Sequence, residues 1–136
     1  MILTELNDEQ IEEIEERLAE YDERHIKYKA EGRIRIGIEE DGRLIAGLDA
    51  CVTAFKILYV STVFVDEDRR RRGYGRMLME EMEKRAKGMG ATVIRLDTFG
   101  WQGKEFYESL GYEIAGSYEN AREGYAEYFF LKRLYA

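Results

Sequence analysis

Cysteine is nearly missing from this chain: Cys51 stands alone, so no disulfide can close within it. Its setting, the apolar run LIAGLDACVTAF, reads as that of a small buried hydrophobe rather than a nucleophile. Also missing are a basic-then-apolar leader and any apolar run long enough to cross a bilayer. With no cysteine pair either, the expectation is a soluble protein of a reducing cytoplasm with no membrane partner. Basic excess is lacking as well, since 28 acidic residues face 21 lysines and arginines for a formal net charge of -7. Nucleic acid is therefore not expected as a partner, because nonspecific binding depends on a basic face that neutralises phosphates. The single histidine, His25, has no nucleophile or metal-binding neighbour in the nearby sequence, and no metal site is expected.

What remains is 136 residues, enough for one domain with a core that needs no disulfide or metal. Met1 to Glu5 are read as a short edge strand. A helix follows from Asn7, a capping residue with Gln10 three positions on, and Ile11, Ile14, Leu18 and Tyr21 recur on one face of it. After Gly32 the period changes to two: Ile34, Ile36 and Ile38 alternate with Arg33, Arg35 and Gly37, as in a strand with one wet face. Asp41-Gly42 suits a tight hairpin turn, and the returning strand runs from Leu44 to about Thr53. Asp49 within it lies on a solvated face or is a partnered buried carboxylate. Lys56 to Val65 is apolar on both faces apart from Tyr59, Ser61 and Thr62, which predicts a central strand.

The stretch VSTVFVDEDRRRRGYGRMLMEEMEKRAKGMG, Val60 to Gly90, organises the rest. A strand ends in an acidic turn, an arginine run meets Gly73 and Gly75, and Met77, Leu78, Met82, Ala86 and Met89 then repeat with helical period. A helix N-terminus reached through glycine presents unpaired N–H groups and partial positive charge, so it is an anion site. Arg69, Arg70, Arg71, Arg72 and Arg76 make a positive spot on a negative chain, suited to one small anionic ligand. A solvated basic turn is the ordinary meaning of such a run, and the glycines and the helix weigh against it. Thr92 to Leu96 is a further strand with parallel pairing expected across the crossover, then a short helix over Lys104 to Leu110, and strands near Tyr112 to Tyr118 and Tyr125 to Leu134.

Two better-known phosphate loops do not fit. A dinucleotide fingerprint needs a third glycine where Leu78 stands, and a nucleoside-triphosphatase loop needs Gly-Lys-Ser or Gly-Lys-Thr. The arrangement Arg70-x-x-Gly73-x-Gly75 between strand and helix resembles the acyl-CoA-binding signature of the GNAT N-acyltransferase superfamily. FYESLGY, Phe106 to Tyr112, resembles that family's second motif, and the two together span roughly the C-terminal half of the chain.

The resemblance implies an α/β (α+β) fold: one domain with a mixed, mostly antiparallel sheet, a splayed parallel central pair and helices on both faces. It implies that backbone groups of Val63, Phe64 and Val65 pair with the pantetheine arm, with a bulge there splaying the strands. Amides from Arg70 through Arg71, Arg72, Gly73, Tyr74 and Gly75 to Arg76 are implied to face the pyrophosphate, and Tyr107 to protonate the departing thiolate. Its ordinary alternative is a tyrosine packed over the sheet. The donor implied is acetyl-CoA, and the acceptor a primary amine of a small molecule or peptide. Some family members carry a glutamate on the central strand; KILYVSTVFV has none, so Asp97, at a strand end, is nominated as base or amine anchor. A non-catalytic acyl-CoA-binding module is the alternative function. The aromatic C-terminal strands leave a homodimer open.

Overall fold

The computed structural model describes residues 1–135. One six-stranded sheet runs β1 (Arg33–Glu40), β2 (Arg43–Val52), β3 (Ile57–Val65), β4 (Val93–Phe99), β6 (Tyr125–Arg133), β5 (Glu113–Asn120) in spatial order. Every neighbouring pair is antiparallel except β3 and β4, whose parallel ladder covers only Ile57 to Tyr59 against Val93 to Arg95. Beyond Tyr59 the edge of β3 has no ladder partner on that side, so the two central strands part there. An extra residue at Ser61 in the β2–β3 register marks where β3 bends, and its hydroxyl donates to the Asp49 carbonyl at 3.1 Å. The bulge therefore lies at Ser61 rather than within Val63 to Val65. A register shift must come where the strand starts to bend, which is upstream of the segment it exposes.

The helices are α1 (Asp8–Glu23), α2 (Tyr74–Gly88) and α3 (Lys104–Ser109). The Asn7 side chain accepts from the Gln10 amide at 2.9 Å and the Gln10 side chain accepts from the Asn7 amide at 3.0 Å, closing the expected capping box. In α2, Leu78, Met79, Met82 and Ala86 are buried against Ile34, Leu48, Ala50, Leu58 and Ile94 of the sheet. Phe106, Tyr107 and Leu110 at α3 pack on the same cluster, beside Phe130. Lys132 ties this side together, donating to Glu83 of α2 at 3.0 Å and to the Leu110 carbonyl at 2.9 Å, while the Tyr112 hydroxyl donates to Glu83 at 2.9 Å.

Both α2 and α3 therefore occupy one face of the sheet. On the other face, where helices were also expected, α1 buries none of its residues. Strand alternation assigns that open face: Ile94, Leu96 and Thr98 of β4 point to the helices, so Arg95 and Asp97 point away. Asp49 lies on it too, 3.4 Å from Arg35 and 3.7 Å from Arg33, a partnered carboxylate on a solvated face. Cys51, on the same face, is half-buried rather than buried, because no helix covers it. Met1 to Glu5 form no strand and are exposed. β5 extends past Tyr118 to Asn120, and β4 extends past Leu96 to Phe99.

Candidate functional site

Between the parted ends of β3 and β4 lies a cavity of about 690 Å³. Its floor is Val63, Phe64 and Val65; one wall is Arg70, Arg71 and the start of α2 from Gly73 to Arg76; the other is Trp101, Gln102, Phe106 and Tyr107. Of the twelve residues expected to build the site, ten line this cavity, and Arg72 and Asp97 do not.

Local sequence explains the first wall. Gly73 has φ 86° and Arg71 φ 63°, both left-handed, which turns the chain sharply from the single 3₁₀ turn Glu67–Arg69 into α2. Gly73 caps α2 without a side chain, no acidic residue occupies the first turn, and the first backbone bond of the helix is Met77 N–H to the Gly73 carbonyl at 3.0 Å. The amides of Tyr74, Gly75 and Arg76 thus have no helical acceptor, and the positive end of α2 is uncompensated. Gly75 serves a second purpose: a Cβ there would lie 3.1 Å from the Phe106 ring, so glycine lets α2 and α3 approach.

The arginines divide into those already held and those available. Arg69 donates to Glu40 at 2.8 Å and to Asp68 at 3.1 Å, and Arg70 donates to the Val65 carbonyl at 3.0 Å. Arg76 lies 3.8 Å from Glu80. Among the described residues Arg71 and Arg72 have no ion-pair partner. Glu40 also accepts from the Tyr74 hydroxyl, and these two donors, Tyr74 first and Arg69 second, hold its carboxyl below the usual range. The end of β1 is thereby tied to both sides of the turn. Glu40 had no signal in the sequence: it is one carboxylate in a hairpin, and only the fold brings it across to α2.

Tyr107 packs edge-on against Phe106 and Tyr112. Burial pushes its hydroxyl up to about 12, and that hydroxyl has no hydrogen-bond partner among the described residues. Tyr107 lines the cavity, and its hydroxyl is protonated at neutral pH. Asp97 lies across the strands on the open face, where it accepts from the Tyr59 hydroxyl at 3.0 Å, bridging β3 and β4 just past their last ladder pair. Burial and then this bond raise the Tyr59 hydroxyl above its ordinary range. Beside them Phe99 stacks on Trp101 with centroids 4.8 Å apart, so one aromatic pair joins the cavity wall to the end of β4. Gln102 fixes that loop, accepting from the Phe99 amide at 2.9 Å.

A profile described as the Acetyltransferase (GNAT) family matches residues 2–112. The chain is 30% identical over 96 residues to blasticidin-S acetyltransferase of Streptomyces morookaense, covering 70% of each. Among solved structures it superposes on an acetyltransferase from Bacillus cereus with TM-score 0.90 and 28% identity over 98% of both chains. It also shares a fold with a Bacillus anthracis protein solved in complex with acetyl coenzyme A, with TM-score 0.68 at 18% identity over 82% of this chain and 67% of that one.

Proposed function

The chain belongs to the acetyltransferase (GNAT) family and is an acetyltransferase; we propose that it moves an acetyl group from acetyl-CoA to a primary amine of a small molecule or peptide by direct attack on the thioester. The observation that carries this reading is one cavity combining the uncapped N-terminus of α2 with the unpartnered hydroxyl of Tyr107. The residues present fit the donor. Three amides without helical acceptors and the guanidinium of Arg71 suit a diphosphate, and the unpaired edge of β3 from Val63 to Val65 suits an amide-bearing arm laid alongside it as a strand would be.

When bound, the donor supplies an acyl carbon already activated as a thioester. A strand N–H near Phe64, on the unpaired edge, is the proposed donor to the oxygen that gains charge as the amine attacks. Tyr107 is the proposed acid: with its proton held to about pH 12, it still carries it at neutral pH and can give it to the departing sulfur. The amine must arrive neutral, and a lysine-type amine has a reference pKa of about 10.4, so a group must accept its proton. Asp97, held by Tyr59 on the open face where β3 and β4 part, is the proposed base or anchor.

The test is thiol release from acetyl-CoA across a panel of amines, with blasticidin S included because a relative is named for it. Acetylated product is expected from at least one amine. Binding of acetyl-CoA with no transfer to any of them would leave a donor-binding module instead. Tyr107→Phe is expected to lower kcat by about 100-fold, within the usual range for a general acid, with donor affinity unchanged. Equal losses in rate and affinity would make Tyr107 a packing residue.

A further inference from the structure

A strip of aromatic rings leaves the cavity wall and runs out across the open face of the sheet. Trp101, which lines the cavity, stacks on Phe99; Phe99 and Tyr125 meet edge to face with centroids 5.8 Å apart, as do Tyr125 and Tyr118 at 6.1 Å, and Phe129 stacks on Tyr118 at 6.2 Å. Trp101 is 72% exposed at one end and Phe129 41% at the other, with Tyr118 at 45% between them. Single exposed rings are ordinary, but contiguous ones mark a place where something binds.

Register sets two carboxylates among these rings. Asp97 stands opposite Phe129, and Glu127 stands between Phe99 and Tyr118, so the two acids are diagonal neighbours roughly 7–8 Å apart. Each is oriented by one tyrosine: Tyr59 donates to Oδ2 of Asp97 at 3.0 Å, and Tyr118 donates to Oε1 of Glu127 at 2.7 Å. Their second oxygens make no hydrogen bond, and neither acid has an ion-pair partner, among the described residues. The arginines of this face are matched or set back. Arg33 and Arg35 share Asp49, Arg133 pairs with Glu113, and Arg95 lies over the Tyr59 ring, one step of strand alternation further than Asp97 from the parted ends of β3 and β4. Beside the opening, two carboxylates set in rings outnumber one guanidinium.

Ring faces and carboxylates share a preference for organic cations. A bare metal ion fits less well, since rings give it no lone pair and no group of three ligating side chains occurs among the described residues. We propose that this surface binds a small organic dication, with one positive group against Asp97, the other against Glu127, and the apolar segment joining them laid on the aromatic strip. The role of that ligand rests on the acetyl-transfer reading: there, the group beside Asp97 is the acceptor amine. Glu127 then sets specificity by holding the second charge, away from the reacting atoms.

Trp101 is the chain's single tryptophan and ends the strip, so its emission reports binding without turnover. Titration of the full chain, free of acetyl-CoA, with para-xylylenediamine is expected to change that emission and to give an affinity about tenfold higher than benzylamine, which lacks the second charge. Glu127→Gln keeps an acceptor for Tyr118 but removes the charge, and is expected to bring the two amines level. Glu113→Gln, on the same face but paired with Arg133, is expected to leave the preference intact. Emission that neither amine moves overturns the proposal, as does equal affinity for the two amines in the wild type. A preference that survives Glu127→Gln, or is lost equally in Glu113→Gln, overturns it as well. Thiol release from acetyl-CoA is measured separately. Diamine binding without release leaves the dication site standing and removes the transfer reading, whereas release with no preference for the diamine removes the site and leaves that reading.

Discussion

Helices α1 and α2 are nearly equal in length, 16 and 15 residues, and both carry apolar residues at helical spacing, yet α2 buries four residues and α1 buries none. The difference is what lies opposite. A crossover between parallel strands forces α2 back over the sheet it has just left, whereas α1 precedes the first strand and is bound by no such closure. Helical period certifies an apolar face; it does not say which surface will cover it.

The strongest way to break this comparison is a matched truncation. Met82→Ala in α2 is expected to cost about 2–5 kcal/mol in denaturant unfolding, since it empties a fully buried position. Leu18→Ala in α1 is expected to stay within about 0.5 kcal/mol, because α1 buries none of its residues. Comparable losses would mean that α1 is packed on its own chain after all.

The second contrast lies at the helix starts, where α1 has a full capping box and α2 has a bare glycine. If the bare end is kept for an anion, Gly75→Ala should leave stability nearly unchanged, because alanine favours helix while its Cβ presses on Phe106. The expected effect is on donor binding, weaker by about tenfold in calorimetry. Unchanged binding would remove Gly75 from the site.

A smaller effect separates the tether of α2 from its surroundings. The Glu40 carboxyl is depressed in the folded chain from an ordinary value of 4.5, so its contribution to stability is present above that value and is lost as pH falls through the lower folded one. Glu40→Gln should therefore flatten the fall in melting temperature below about pH 4.5 and loosen donor binding a few-fold. A mutant with the wild-type pH dependence would show that Tyr74 and Arg69 do not need that charge.

The cavity wall built by β3 and α2 was legible because it is contiguous: one run from Val60 to Arg76 supplies strand edge, turn, arginines and helix start in order. Tyr107 came with a second short motif. The pairing of Tyr59 with Asp97 was not, because they are 38 residues apart and meet only where β3 and β4 stand side by side. Asp97 was singled out as a carboxylate at a strand end, but its face was not, since a short strand of alternating residues reads the same from either side. The five arginines look alike in sequence, and only Glu40, reaching across from β1, distinguishes Arg69 as a tether from Arg71 and Arg72.

By itself the sequence determined which elements form and in what order, because caps, periodicity and turn residues act over a few neighbouring positions. It likewise determined that free backbone amides and guanidiniums gather where β3 gives way to α2, since they are adjacent along the chain. Tertiary structure decided which face of the sheet is covered, where the parallel pair opens, and which hydroxyl finds which carboxylate. Those depend on distances between segments far apart in the chain, which come together only when the sheet pairs and a helix closes over it.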